Sequence, residues 1–192
     1  MQLSKLSYYS DFVVYPLVLV ALTAINFSHV TWGHVTWVSG AEWLGATLVG
    51  LTFWTLAEYA LHRIALHRMP YFSPMHGLHH ASPLAFIGTP SWISVAVLSV
   101  TILVPAWLCL GFNVADGLTV GVMLGYWWYG VVHHVIHHHA NTSSSAYFND
   151  LRAWHMRHHY SPRSGNFGVT TRVWDQVFGT AIGVRDKAVA PS

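Results

Sequence analysis

Charge is scarce in this sequence. Of 192 residues only 8% are charged, against roughly 25% in an ordinary soluble domain, while 53% are hydrophobic. One small soluble core cannot bury that much apolar surface without leaving aggregating patches, so lipid is the expected solvent. Cysteine is nearly absent: Cys109 stands alone in an apolar stretch. That excludes a disulfide framework, a C-x-x-C pair and a thiolate cluster for zinc or iron–sulfur chemistry. A metal site in this chain has to be built from nitrogen and oxygen. The net charge is only +2, with the Lys and Arg residues scattered rather than striped, so no nucleic-acid partner is expected. No repeat, low-complexity tract or interdomain linker is visible, and Asn141 to Ser145 is a short polar turn. Residues 1–192 therefore read as a single membrane domain, with no room for an appended electron-transfer domain.

A helix needs about 20 largely apolar residues to cross a bilayer, within a range of roughly 17 to 25. Four stretches are predicted to do so: 12–27, 43–61, 92–112 and 118–136. The second carries Glu58, the third carries Pro105 and the fourth runs into histidines. Lys5 ahead of the first span also suits a signal peptide, but no small-x-small cleavage site follows it, so a retained span is expected. Ten Trp, nine Tyr and nine Phe suit membrane interfaces. Every Lys and Arg lies in the N-terminal tail, in 62–91 or in 137–192, and none lies between Ser28 and Glu42 or between Asn113 and Gly117. By the positive-inside rule both termini and the elements 62–91 and 137–192 face the cytoplasm; in a bacterium the membrane would be the inner one. The predicted fold class is all-α: an integral membrane protein of four transmembrane helices with a cytoplasmic helical cap carrying a histidine-rich di-metal site.

Histidine is the residue in excess, with fifteen copies. His29 and His34 fall in the opposite loop; the other thirteen gather on the cytoplasmic side. Positions i, i+3 and i+4 of an α-helix share one face. His76, His79 and His80 should therefore present three imidazoles in one direction, as should His155, His158 and His159, and His133 and His137 should present two. Ser73 as N-cap with Pro74 behind it opens the first of these short helices, and Ser82-Pro83 closes it. Asn149 or Asp150 caps the second, which Ser161-Pro162 ends. His62 and His67 are five residues apart, roughly 140° on an α-helix. They share one target only if the helix ends between them; otherwise they serve different metals. His134, His138 and His139 lie off the ligating face, as interfacial or supporting residues.

Neutral imidazole suits iron, zinc, copper and nickel. About ten candidate ligands exceed the capacity of one ion, whereas two ions with four or five nitrogens each would use them. H-E-x-x-H is absent and neither histidine triplet holds a carboxylate to act as general base, which favours redox chemistry over hydrolysis. Glu58 lies one helical turn before His62 in a span where an acid is expensive. It either orients His62 by a hydrogen bond or is a buried acid with no catalytic role. Asp150 and Asp175 are candidates for the same support, and equally for caps and turns.

His62-x4-His67, His76-Gly77-Leu78-His79-His80, His133-x3-His137-His138 and His155-x2-His158-His159 are followed by Phe167-Gly168-Val169-Thr170 and Trp174-Asp175-x-Val177-Phe178-Gly179-Thr180. Together, from Glu58 to Thr180, these motifs resemble the fatty acid hydroxylase superfamily, also called the sterol desaturase family, and within it most the fatty acid 2-hydroxylases. The resemblance implies a membrane non-haem di-iron oxygenase that hydroxylates or desaturates an unactivated lipid carbon with O2 and two external electrons. The ligands it implies are His62, His67, His76, His79, His80, His133, His137, His155, His158 and His159. Two departures bear on the substrate. Tyr129-Gly130 stands where members with 2-hydroxylase activity often carry an acid after the tyrosine, and the stretch from Leu84 to Trp92 lacks their charged residues. The fused cytochrome b5 domain of some relatives is missing as well, so a separate ferredoxin-like or cytochrome-type donor is expected, docking near Arg152, Arg157 and Arg163. Zinc stands above ferrous iron in the usual affinity order, so the isolated protein is expected to carry zinc. The runner-up readings are a desaturase or a carotenoid or sterol oxidase of the same superfamily and, outside it, a membrane metal transporter or zinc-binding protein. Transport would want ionisable groups near the midplane of several spans, where this sequence offers only Glu58.

Overall fold

The computed structural model describes residues 2–32, 37–139 and 145–183. His29 has no described side chain, and His34, most of the turn at Asn141 to Ser145, Arg185 and Lys187 lie outside the described residues. Among the described residues every regular element is a helix, and the one β feature is an isolated antiparallel bridge between Gln2 and Ile87. The helices are α1 (Lys5–Tyr9), α2 (Asp11–Trp32), α3 (Trp37–Ala60), α4 (Ser73–Ala81), α5 (Ser91–Leu98), α6 (Val104–Leu110), α7 (Phe112–His138), α8 (Ala146–Tyr160) and α9 (Val173–Val177). Two π-helical segments, Leu61–Leu66 and Ser99–Leu103, follow α3 and α5 directly.

Three stretches are long and apolar enough to cross a membrane: Lys5–Ser28, Val38–Leu66 and Ser91–Leu110. The expected fourth span lies in α7, whose 27 residues are ample in length but whose glycines, Tyr126, Trp127, Trp128 and Tyr129 dilute its apolar character. It is also an internal helix, with Val120, Val122, Met123, Val132 and Ile136 all buried. A helix that packs against protein on much of its surface has less need to be apolar all round.

The chain divides into two compact units, Met1–Trp54 with Phe86–Gly130, and Thr55–Ala85 with Val131–Ser192. In the first, α3 and α7 approach backbone to backbone. Gly117, Gly121 and Gly125 recur every four residues along α7. A Cβ at Gly117 would lie 2.6 Å from Trp43 O, one at Gly121 would run into the Thr47 carbonyl and one at Gly125 would press on the Trp54 ring. Small residues at this spacing let helices close where lipid gives no hydrophobic drive to pack. Polar side chains also link helices of this unit. Ser91 bonds Asp11 and, at 2.7 Å, Ser10; Tyr15 donates to Ser94 at 2.8 Å; Asn26 donates to Asn113 at 3.0 Å; and Trp43 donates to Asp116 at 2.7 Å. Pro105 has no amide to continue the helical ladder, and the expected unbroken 92–112 helix is π-helical just before it.

The second unit holds every expected ligand. Here the caps differ from the sequence expectation. Ser73 is the first residue of α4, preceded by Phe72 as cap, and its hydroxyl donates instead to His67 O at 3.4 Å. Helix α8 begins at Ala146 with Ser145 as cap, so Asn149 and Asp150 sit inside it. Both helices end where Ser82-Pro83 and Ser161-Pro162 were expected to end them, because Pro disfavours helical geometry in the residue before it.

Candidate metal centre

The π-helical segment resolves the five-residue spacing. Its i→i+5 hydrogen bonds widen the turn, so residues five apart come round towards one side. His62 lies inside the segment and His67 is its C-cap, and their ring centroids are 5.2 Å apart. Helix α4 lends His76 and His80 to the same place, and α8 lends His158. The ligand nitrogens of these five residues all lie within 4.8 Å of one another. His79, His137, His155 and His159 form a second such set. His133 flanks it, its ring centroid 4.7 Å from that of His79, 4.6 Å from that of His137 and 5.0 Å from that of His155.

Each triplet is therefore divided, and does not aim three imidazoles at one target as expected. Helix α4 gives two rings to the first set and one to the second; α8 does the reverse. The remaining rings are His62 and His67 of the π segment and its cap in the first set and, in the second, His137 at the end of α7 with His133 beside it. The two sets are built alike with the roles of α4 and α8 exchanged.

Within the sets it is the Nε2 atoms that converge. His62 Nε2 and His80 Nε2 each lie 3.0 Å from His76 Nε2, and His67 Nε2 lies 3.1 Å from His158 Nε2. In the second set, His155 Nε2 is 2.9 Å from His137 Nε2 and 3.1 Å from His159 Nε2. The far nitrogens of two rings have backbone partners. His62 Nδ1 donates to Phe167 O at 2.6 Å and His158 Nδ1 donates to Gly165 O at 2.8 Å. A carbonyl only accepts, so the proton sits on Nδ1 and the Nε2 lone pair is left for a ligand.

Both carbonyls belong to one short loop, which two buried acids hold. Glu58 Oε1 accepts from Val169 N at 2.6 Å and Thr170 N at 2.9 Å, and its Oε2 accepts from Thr170 Oγ1 at 2.6 Å. Asp175 Oδ1 accepts from Phe167 N at 2.9 Å and Thr180 Oγ1 at 2.7 Å; its Oδ2 accepts from Gly168 N at 2.8 Å and Trp154 Nε1 at 3.3 Å. Glu58 thus acts on His62 through the loop rather than by the direct bond expected from its position one turn away. Gly168 is required because a Cβ there would collide with the Thr171 carbonyl. Asn166 adopts φ +56°, a region asparagine tolerates better than most residues. Its buried amide accepts from Ile182 N at 2.6 Å and donates to Trp154 O at 3.3 Å. The Gly165-Asn166 pair ahead of the Phe-Gly-Val-Thr motif was the available signal for this turn, and sequence reasoning passed over it.

Asp150 stands apart from the imidazoles, pairing at the surface with Arg172. His134 and His138 belong to neither set and stack on each other at 4.6 Å. Arg157 lies over the Trp154 ring at 5.5 Å, and Arg152 donates to His139 O at 3.3 Å.

Burial, followed by the charge of neighbouring imidazoles, holds these rings neutral. It lowers His67 and His79 to about 4 and His159 to about 2, and lowers His76 and His155 as well. His158 falls to about 3, burial outweighing its bond to Gly165 O. Imidazoles that stay neutral at pH 7 keep the lone pairs a metal needs. The buried Nε2 of His79 has no hydrogen-bond partner among the described residues, an orphaned donor-or-acceptor atom that a metal would satisfy. Two all-imidazole sets of this size fit a pair of first-row transition ions.

The sequence profile of the fatty acid hydroxylase family matches residues 47–180, which include every one of these histidines and both clamping acids. The chain belongs to this family. It is 30% identical over 121 residues to a dihydroceramide fatty acyl 2-hydroxylase of Arabidopsis thaliana, covering 59% of this chain and 48% of that one. It is 31% identical over 113 residues to a fatty acid 2-hydroxylase of Rattus norvegicus, covering 56% of this chain and 29% of that one. Among solved structures, full-length scs7p, of which only the hydroxylase domain is visible, superposes with a TM-score of 0.77 at 24% identity, over 96% of this chain and 70% of that one. This last likeness establishes the fold. The matched region spans about half or less of the two curated hydroxylases.

Proposed function

We propose that this member of the fatty acid hydroxylase family is a membrane-bound oxidoreductase that hydroxylates an unactivated carbon of a fatty acyl lipid. The observation that carries the reading is the convergence of two imidazole sets, drawn from four segments of chain, in a protein with three helical stretches long and apolar enough for a bilayer. The overall reaction is R–H + O2 + 2 e⁻ + 2 H⁺ → R–OH + H2O. Two iron ions, when bound, supply the redox chemistry that activates O2; zinc is the expected occupant in protein isolated without added iron. His62, His67, His76, His80 and His158 would hold one ion, and His79, His137, His155 and His159, with His133, the other. The carbonyls of Phe167 and Gly165 orient two of those rings, and Glu58 and Asp175 keep the carbonyls in place. Burial of His62, His76, His79, His155 and His158 excludes water from much of the ligand cage. The names of the curated relatives support an acyl chain as substrate.

We further read α7 as the fourth membrane span and the stretches 62–91 and 137–192 as a cytoplasmic cap, on the distribution of Lys and Arg. A separate donor of ferredoxin or cytochrome type supplies the electrons, steered by Arg152, Arg157 and Arg163.

The test is lipid analysis of cells with and without the protein, grown under 18O2. A gain of one labelled oxygen on an acyl chain is the expected result. Loss of two hydrogens would make the protein a desaturase, and an unchanged lipid profile with metal flux in vesicles would make it a transporter.

A further inference from the structure

The two imidazole sets are alike in composition and unlike in what stands behind the rings. In the first set, His62 and His158 each donate their Nδ1 proton to a backbone carbonyl, at 2.6 and 2.8 Å. In the second set, His155 Nδ1 and His159 Nδ1 are buried and have no hydrogen-bond partner among the described residues. We propose that the two metal positions are inequivalent: the set of His62, His67, His76, His80 and His158 binds its ion more tightly and fills first, and the set built on His155 and His159 holds the exchangeable ion. This rests on the two-ion reading above.

The physical reason lies on the side of each ring away from the metal. An acceptor on Nδ1–H fixes the tautomer that leaves Nε2 free, fixes the ring's rotation and makes Nε2 more basic; loss of such a partner typically weakens metal affinity about 10- to 100-fold. The first set has two of these supports, and neither carbonyl is itself loose. Phe167 N and Gly168 N are tied to the two oxygens of Asp175, and the following amides of Val169 and Thr170 are tied to Glu58. Asn166, between the two carbonyls, is anchored through its backbone to Thr180 O at 3.0 Å and through its side chain to Ile182. On the second set, no described residue accepts from Nδ1 to choose between tautomers at His155 and His159. A metal bound at their Nε2 atoms also leaves a buried Nδ1–H unpaired on each ring, an unfavourable state that the first set avoids at His62 and His158. Asp175 and Glu58 are positioning residues in this account, acting on one ion through the loop.

The experiment uses the full chain in detergent, loaded with zinc as a redox-silent probe, and follows release of zinc to an excess of chromogenic chelator. Two equivalents should leave in two equal phases, the slow one at least about tenfold slower than the fast. His137→Ala should remove the fast phase and leave the slow one, which identifies the phases. Asp175→Asn should accelerate the slow phase towards the fast while leaving the fast phase where it was, a selectivity that general loosening of the fold would not give. Thr170→Ala, which removes one bond to Glu58, should do the same to a smaller degree. Release of two equivalents in a single phase would overturn the inference while leaving the two-ion reading intact, as would loss of the slow phase in His137→Ala. Failure of the wild-type chain to take up two equivalents would overturn the two-ion reading itself.

Discussion

The two compact units of this chain are held together in different ways. In the unit of Met1–Trp54 and Phe86–Gly130, the closest helix pair is ordered by shape, with single polar bonds such as Tyr15 to Ser94 beside it: glycines on α7 admit the backbone of α3, and large apolar side chains such as Leu108, 81% exposed, and Val20, 68% exposed, are left for lipid. In the unit of Thr55–Ala85 and Val131–Ser192, order comes from a connected network of directed polar bonds behind the imidazoles. His62, Glu58, Asn166 and Asp175 are all buried there, and each finds partners that fix its orientation. A packing contact is non-directional and forgiving of side-chain identity, whereas an imidazole must have both a position and a proton placement. Substitutions should therefore harm the first unit through stability and the second through metal and turnover.

The largest effect should follow from His155→Ala. His155 is fully buried and its Nε2 lies against those of both His137 and His159, so its loss removes the central ligand of one set. Loss of a supporting partner behind a ligand costs about 10- to 100-fold, and a ligand itself should cost more than that. Hydroxylated product should fall below detection, and zinc bound per chain should drop from two to one by elemental analysis. Product formation at more than a tenth of wild type would mean that the second set is not the working centre.

Acid should also separate the units. The unfolded chain's histidines take up protons near pH 6.5, whereas in the folded chain His67 and His79 wait until about pH 4 and His158 until about pH 3. Below pH 6.5 the unfolded state binds more protons, so stability is lost as pH falls, progressively from about 6.5 to 4 and on towards 3. The metal-free protein should melt at a lower temperature at pH 5 than at pH 7.5, and bound metal should flatten that dependence because it competes with the proton for the same lone pairs. A metal-free melting point that rose on acidification would contradict neutral buried imidazoles.

How much of this was legible in advance follows the same division. The ligands were readable because helical spacing and box order are local properties: His76 and His80, or His155 and His159, must share a face once a helix is granted. Their sorting into two sets was not, because whether a ring on that face meets one partner group or the other depends on how four segments are disposed in space. The sharing of one set by His62 and His67 turned on a π-helical segment that an α-helical wheel excludes. Glu58 was legible as an expensive buried acid, but its targets lie more than a hundred residues away at Val169 and Thr170, and proximity in sequence to His62 pointed to the wrong bond. The expected caps at Ser73, Asn149 and Asp150 missed because cap residues are common also inside first turns, and tertiary contacts decided the boundary. Apolar length predicted three helical stretches long and apolar enough to cross a membrane, whereas α7 falls outside that set because a helix with many buried positions needs less uniform apolar character.

The smallest effect, and the one that most sharpens the contrast, should come from Gly121→Ala. A methyl group there would meet the Thr47 carbonyl and press within 2.7 Å of Leu51 N, backbone atoms that cannot swing aside as a side-chain tip can. Overpacking of this kind costs roughly 1–3 kcal/mol, so the melting temperature in detergent should fall by a few degrees. The zinc bound per folded chain should nevertheless stay at two, since every ligand and both clamping acids belong to the other unit. Metal lost in proportion to the drop in stability would show instead that close packing of α3 on α7 is what holds the ligand-bearing ends of those helices in register, and that the two ways of ordering the chain are not separable.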